Sequence, residues 1–207
     1  MPIEHFGLYL VLSDPVTSFE TCAEAAVNAN VHFIQLRLKN SARTTIISVA
    51  RNLRSITHNS CTRFIINDDP EIAREVAADG VHLGQTDMVL TQARRLYPEL
   101  RIFGLSTHSH EQALQATQLQ PDYCGVGPVF ATPTKAIPDP TLGPEQAGEI
   151  IQSAPFTTVA IGGIDLNNLP LVLRAGAINF AVVRYVCRDP KPYDAIRRLQ
   201  DLWQTFQ

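Results

Sequence analysis

The sequence predicts an α/β protein folded as one domain, a (β/α)8 TIM barrel spanning residues 1–207. Three observations carry that expectation. Eight apolar runs rich in β-branched residues alternate with helix-forming stretches at roughly 25 residues per unit, the pattern of a parallel sheet built from β-then-α units. The runs are mostly continuous rather than alternating, as strands covered on both faces must be. Polar and charged residues follow at least six of them, and the carboxyl ends of strands are where such a barrel assembles its active site. A doubly wound open sheet would instead gather its chemistry at a single switch-point crevice.

The elements follow in order. Gly7–Ser13 leads to a helix whose start is marked by Thr17 with Glu20 three residues on, a capping box. His32–Lys39 precedes a helix over Ala42–Thr57. Arg63–Asp68 runs into Asp69-Pro70-Glu71, where Asp69 suits an N-cap and Pro70 a first helical position that has no hydrogen bond to lose. Gly80–Gln85 is followed by a helix over Val89–Tyr97, and Arg101–Thr107 by a second capping box, Ser109 with Gln112. After Tyr123–Phe130 comes a Pro-rich loop at about 131–143 containing Pro133, Pro138 and Pro140. A loop of that length in a compact domain is expected to be a functional lid or disordered. Gly143-Pro144-Glu145 opens the next helix. Thr158–Ile164, a helix over Leu166–Ala175, the run Asn179–Val186 and a last helix over Tyr193–Phe206 complete the series. No linker is left for a second domain.

Composition narrows the function classes. An apolar content of 45% and a charged content of 18% are those of a soluble globular protein. A net charge of −3 gives no general affinity for nucleic acid or anionic membranes, so any anion site must be local. The first residues carry no basic, apolar leader, and no run is long enough to span a bilayer. Cys22, Cys61, Cys124 and Cys187 lie far apart without a C-x-x-C and read as reduced packing residues, which points to the cytoplasm.

The chemistry-bearing residues form two groups. In Gln35-Leu36-Arg37-Leu38-Lys39, alternation along a strand puts Gln35, Arg37 and Lys39 on one face. Two cations entering a barrel mouth need a counter-charge: an anionic ligand, or for Arg37 a structural carboxylate with Lys39 solvated. Asn67, Asp68 and Asp87 end or follow neighbouring strands, so the two carboxylates can approach one cation, and hard oxygen donors beside phosphates suit Mg2+. A general acid–base pair is the other use of two carboxylates, but it leaves the cations without a role. Thr132-Pro133-Thr134-Lys135 opens the long loop and offers two hydroxyls and an ammonium that could close over a phosphate, or simply be solvated. Gly162-Gly163 and Val183-Arg184 stand at strands seven and eight, where many barrels bind phosphate; a tight turn at the glycines is compatible with that. Ser106 either faces the mouth or bonds locally. His82 falls mid-strand and reads as a packed, satisfied histidine, while His108 and His110 fall near the mouth. No dinucleotide fingerprint, Walker loop, nucleophile elbow or zinc-spaced histidine pair is present.

Six strings taken in order then resemble one family. They are Gln35–Lys39, Ile66-Asn67-Asp68, Asp79–Asp87, Gly104–His108, Gly127–Lys135 and Ala160–Ile164, and together they closely resemble thiamine phosphate synthase over about residues 7–186. The resemblance implies a barrel enzyme that joins 4-amino-2-methyl-5-pyrimidinylmethyl diphosphate to a hydroxyethylthiazole phosphate and releases pyrophosphate. By resemblance, Gln35, Arg37, Lys39, Asn67 and Lys135 hold the pyrimidine diphosphate, with Arg37, Lys39 and Lys135 catalytic, and Ser106 sits by the pyrimidine. Asp68 and Asp87 are implied to ligate Mg2+. Thr132, Pro133, Thr134, Gly163, Val183 and Arg184 are implied to bind the thiazole phosphate. Two positions depart from the family pattern: Asp69 stands where many relatives have Arg, and Arg184 where they often have Ser. A thiazole tautomerase, which resembles this family but lacks the diphosphate and metal residues and carries a His where Pro128 stands, fits less well. A phosphate-sensing barrel without turnover leaves the lid and metal residues unexplained. Oligomeric state is open, and a homo-oligomer is compatible with everything above.

Overall fold

The computed structural model describes residues 4–133 and 140–207. Eight parallel strands close into a barrel in sequence order. They are β1 (Leu8–Leu12), β2 (Phe33–Leu36), β3 (Arg63–Asn67), β4 (Gly80–Leu83), β5 (Ile102–Thr107), β6 (Tyr123–Val126), β7 (Thr157–Ile161) and β8 (Phe180–Val182). The helices are α1 (Phe19–Asn28), α2 (Arg43–Thr57), α3 (Pro70–Glu75), α4 (Leu90–Leu96), α5 (His110–Leu119), α6 (Gly143–Ser153), α7 (Leu169–Arg174), the short α8 (Arg184–Cys187) and α9 (Pro192–Gln204). None among the described residues is long and apolar enough to cross a membrane. The predicted (β/α)8 barrel is thus the observed fold.

Alternation along each strand divides the core in two. One face of every strand, with Leu8, Leu10, Ile34, Phe64, Ile66, Val81 and Phe180 among its residues, packs against the helices. The opposite face, including Tyr9, Phe33, Ile65, Ile102, Tyr123, Val159 and Ala181, fills the barrel interior. Closure is secured by Asn179, just before β8. Its carboxamide oxygen accepts from the backbone N–H of Phe6 and Gly7, and its Nδ2 donates to the carbonyls of Glu4 and Thr158. All the amide's bonding capacity is used in a site 2% exposed, so burial there costs little.

Several boundaries differ from those predicted. The helix after β1 is capped by Ser18, whose Oγ accepts from the Thr21 N–H at 3.0 Å, rather than by Thr17. Glu20 turns instead to Asn52 Nδ2. Ser109 does cap α5, but Gln112 returns its bond to the N–H of His108. Asp69 caps α3 as expected and also pairs with Arg43. The eighth strand stops at Val182, and the chain turns into α8 at once, so Arg184 is not on a strand face with Phe180 and Val182. Cys22, Cys124 and Cys187 are buried, free packing residues; Cys61 is exposed.

Interior glycines make room for the barrel's polar residues. A Cβ on Gly104 would lie 2.6 Å from His82 Nδ1 and closer still to the Tyr123 ring. Gly104→Ala is therefore expected to destabilise the fold by about 1–3 kcal/mol, as overpacking does. At roughly 2–4 °C per kcal/mol for a chain of this length, calorimetry should show a clear fall in Tm. An unchanged Tm would mean that the interior can shift to admit the methyl group.

Candidate active site

A cavity of about 990 Å3 opens at the carboxyl ends of the strands. Its floor is polar: Tyr9, Gln35, His82, Ser106 and Tyr123 come up from β1, β2, β4, β5 and β6 on the interior face. Both phenols titrate well above the ordinary tyrosine value, chiefly because burial disfavours the phenolate, so both are neutral donors.

One wall is made by the ends of β2, β3 and β4 and carries the charges. Arg37 and Lys39 line the cavity on the side of Gln35, both just beyond the end of β2, which is shorter than the predicted run His32–Lys39. The Arg37 guanidinium is half-buried, which lowers its pKa from the ordinary value while the Asp68 charge opposes the shift; it stays protonated. It has no side-chain hydrogen bond or ion pair among the described residues. Asp68 has φ +67°, a left-handed conformation that Asp tolerates better than most residues. It directly follows β3 with its backbone N–H still bonded to His82 O, and its carboxylate lies 2.9 Å from Lys39 Nζ.

Asp87 is set by the tight turn after β4, where its Oδ2 accepts from the Gly84 N–H at 2.6 Å. Burial raises its pKa, and the adjacent Asp68 carboxylate, within hydrogen-bonding contact, raises it further. Two acids in contact, one made harder to ionise by the other, form a site that a divalent cation would relieve. No third His, Cys, Asp or Glu joins them among the described residues, which leaves positions for water or a ligand's oxygens. Asn67 also lines this wall, and its carboxamide has no hydrogen bond among the described residues.

The opposite wall comes from the ends of β6, β7 and β8. Gly162 and Gly163 take φ +106° and +64°, and a Cβ on either would strike the chain at Pro128 or at Phe130–Ala131. Tight packing against the β6 loop thus requires both glycines, while their backbone still lines the cavity. Val183 and Arg184 join them at the start of α8. Arg184 is exposed and has no ion pair among the described residues. Asp165, an acid that lines the same cavity, has its Oδ1 committed to the N–H groups of Asn167 and Asn168. Thr132 and Pro133 also line the cavity; Thr134 and Lys135 lie outside the described residues, as does the middle of the predicted lid, 134–139.

Four contributors were not predicted. His82 is packed and satisfied as read, and its ring also forms part of the cavity floor. Tyr9 and Tyr123 were read only as parts of apolar runs. Arg188, one turn beyond Arg184, lines the cavity while paired with Asp14.

Comparison with known proteins gives a consistent picture. Residues 8–186 match the model of the family described as thiamine monophosphate synthase. A thiamine-phosphate synthase of Methanospirillum hungatei is 39% identical over 199 residues, covering 95% of this chain and 97% of that one. A thiamine-phosphate synthase of a Synechococcus strain is 40% identical over 179 residues, covering 86% of this chain but only 50% of the relative, so the chain spans half that protein's length. A solved thiamine phosphate pyrophosphorylase from Pyrococcus furiosus superposes with a TM-score of 0.87 at 30% identity, covering 98% of this chain and 97% of that one. The family expected from six short motifs is the one found across the whole barrel, and the chain belongs to the thiamine monophosphate synthase family.

Proposed function

We propose that the chain is a cytoplasmic thiamine phosphate synthase. It would join 4-amino-2-methyl-5-(diphosphooxymethyl)pyrimidine to 4-methyl-5-(2-phosphooxyethyl)thiazole, or its carboxylate, giving thiamine phosphate and pyrophosphate. The observation that carries this reading is the division of the cavity. Cations and paired carboxylates occupy one wall, and a glycine-lined strand-seven/eight corner with Arg184 occupies the other. That arrangement suits two phosphorylated substrates entering side by side.

In this reading Arg37, Lys39, Asn67 and Lys135 receive the diphosphate. Asp68 and Asp87 would hold Mg2+, which supplies positive charge to the oxygens of the departing pyrophosphate. The C–O bond to the pyrimidinylmethyl carbon breaks with its electron pair leaving on pyrophosphate, and the thiazole nitrogen captures the resulting cation. No enzyme nucleophile or base is needed, so positioning and charge stabilisation carry the rate. Arg37 and Lys39 stabilise negative charge as it grows on the leaving group. Thr132, Pro133, Thr134, Gly163, Val183 and Arg184 orient the thiazole phosphate, and the segment at about 131–143 acts as the lid that excludes water. The test is pyrophosphate release by the purified protein: expected with both substrates and Mg2+, and absent with the thiazole phosphate alone. No release with both present would reject the reading.

Arg184 gives a prediction specific to this chain. An exposed guanidinium with no ion pair among the described residues, placed beside the phosphate corner, can pair with that dianion. A hydrogen bond to a charged group is worth about 1.5–3 kcal/mol when well formed, and exposure argues for the lower end. Arg184→Ser is thus expected to raise KM for the thiazole phosphate about tenfold, with KM for the diphosphate unchanged. A thiazole-phosphate KM within about twofold of wild type would place the phosphate on backbone groups alone.

A further inference from the structure

A continuous line of hydrogen bonds crosses the barrel interior from Gln35 to Ser106 and passes through His82. Gln35 Nε2 donates to the Tyr9 hydroxyl at 3.0 Å, and the Tyr9 and Tyr123 hydroxyls are 2.7 Å apart. The Tyr123 hydroxyl is 3.0 Å from His82 Nδ1, and His82 Nε2 is 2.9 Å from Ser106 Oγ. The imidazole also stacks on the Tyr123 ring, with centroids 5.5 Å apart and planes inclined by 25°.

The direction of donation along this line is determined at its buried end. Tyr9 is 2% exposed, and its oxygen already accepts from Gln35, so its one proton needs an acceptor. The Tyr123 oxygen is the acceptor within reach, and the Tyr123 proton then goes to His82 Nδ1. Nδ1 must therefore be unprotonated and Nε2 must carry the hydrogen, which it donates to Ser106 Oγ. The Ser106 proton is left to point into the cavity. Running the line the other way would strand a buried phenol proton without an acceptor, a defect of the kind that native interiors avoid.

We propose that His82 is a positioning residue that turns the Ser106 hydroxyl proton toward the heteroaromatic ring of the first substrate, as a hydrogen-bond donor. The Ser106 proton, which the line leaves unused, then fits an acceptor such as a pyrimidine ring nitrogen. The proposal deepens, and rests on, the thiamine phosphate synthase reading. His82 takes no part in bond making; its contribution is to fix the orientation of one hydroxyl.

The test has two arms. In the first, 15N NMR of histidine-labelled wild-type protein, with the His82 signals identified by their loss in His82→Gln, should show the Nε2–H tautomer. The Nδ1–H tautomer would overturn the proposal, and this arm needs no turnover. In the second, Ser106→Ala and Tyr123→Phe should each raise KM for the pyrimidine diphosphate, by about tenfold and about fivefold on the scale of a net hydrogen bond, and leave the thiazole-phosphate KM unchanged. Because Tyr123 acts through Ser106, the double variant should be no worse than Ser106→Ala alone within about twofold. Multiplying effects, or equal rises in both KM values, would overturn the relay. A wild-type protein that released no pyrophosphate would reject the function and leave the tautomer result to decide the relay alone.

Discussion

Asp68→Asn is expected to lower pyrophosphate release by about 10²–10³-fold at saturating Mg2+, the scale on which loss of one group facing developing charge is felt. Chelation of wild-type protein should have an equal or larger effect and be reversed by added Mg2+. Asparagine is the proper replacement because Asp68 has φ +67°, which Asn adopts readily and Ala does not. Loss of activity in the Asn variant therefore cannot be charged to backbone strain. The neighbouring acid adds a pH dependence whose sign is determined. Burial first, and contact with Asp68 second, raise the Asp87 pKa above that of an ordinary aspartate. A divalent cation needs that carboxylate ionised, so metal affinity should increase as pH rises through the raised pKa. Metal-free stability should move the opposite way. A group whose pKa is raised by folding contributes stability that is present below its unfolded pKa and lost as pH rises through the folded one. Asp87→Asn should accordingly raise the Tm of the metal-free protein at neutral pH while abolishing Mg2+-dependent turnover. Full activity of Asp68→Asn in excess chelator would reject the metal assignment. A lowered metal-free Tm for Asp87→Asn would reject the account of Asp87.

The barrel was legible because its strands announce themselves. Continuous β-branched runs such as Arg63–Asn67 have no use outside a strand buried on both faces. Where each strand ends was not legible, since the last paired residue and the first mouth residue are chemically alike. The run beginning at Asn179 continues through Val183 to Val186, yet pairing stops at Val182 because the chain turns into a helix. The charged wall was legible for a different reason: cations such as Arg37 and Lys39 are conspicuous in apolar surroundings. The floor was hidden for the converse reason. Tyr9, His82 and Tyr123 are compatible with ordinary packing, and a continuous apolar run does not say which of its two faces lies inside. The clue that was available is the period-two register linking His82, Gly104 and Tyr123 across three strands, with a glycine between two large rings. Register of that kind is visible only once the strands are paired.

Arg37→Gln is expected to reduce kcat/KM for the pyrimidine diphosphate by about 10²–10³-fold. Two charge-assisted bonds of about 1.5–2 kcal/mol each reach that figure without further assumption. Arg37→Lys should recover little of it, because an ammonium cannot reproduce the two-pronged contact with a diphosphate. The informative measurement is the stability of the same variants without ligand. A cation held by a structural carboxylate leaves an uncompensated buried charge when it is removed, at a cost of about 3–5 kcal/mol. Here the Arg37 guanidinium has no hydrogen-bonded carboxylate among the described residues, and the Asp68 carboxylate, whose charge it feels, is in contact with Lys39. Removing Arg37 gives up partial burial of a charge and breaks no bond with a described side chain. The metal-free Tm of Arg37→Gln should therefore equal or exceed that of wild type, while added pyrophosphate, which should stabilise the wild type, shifts the variant far less. A Tm several degrees lower, with substrate affinity intact, would make Arg37 a structural cation. The opposite pairing, stability kept and diphosphate binding lost, is what a half-buried arginine waiting for an anion must show.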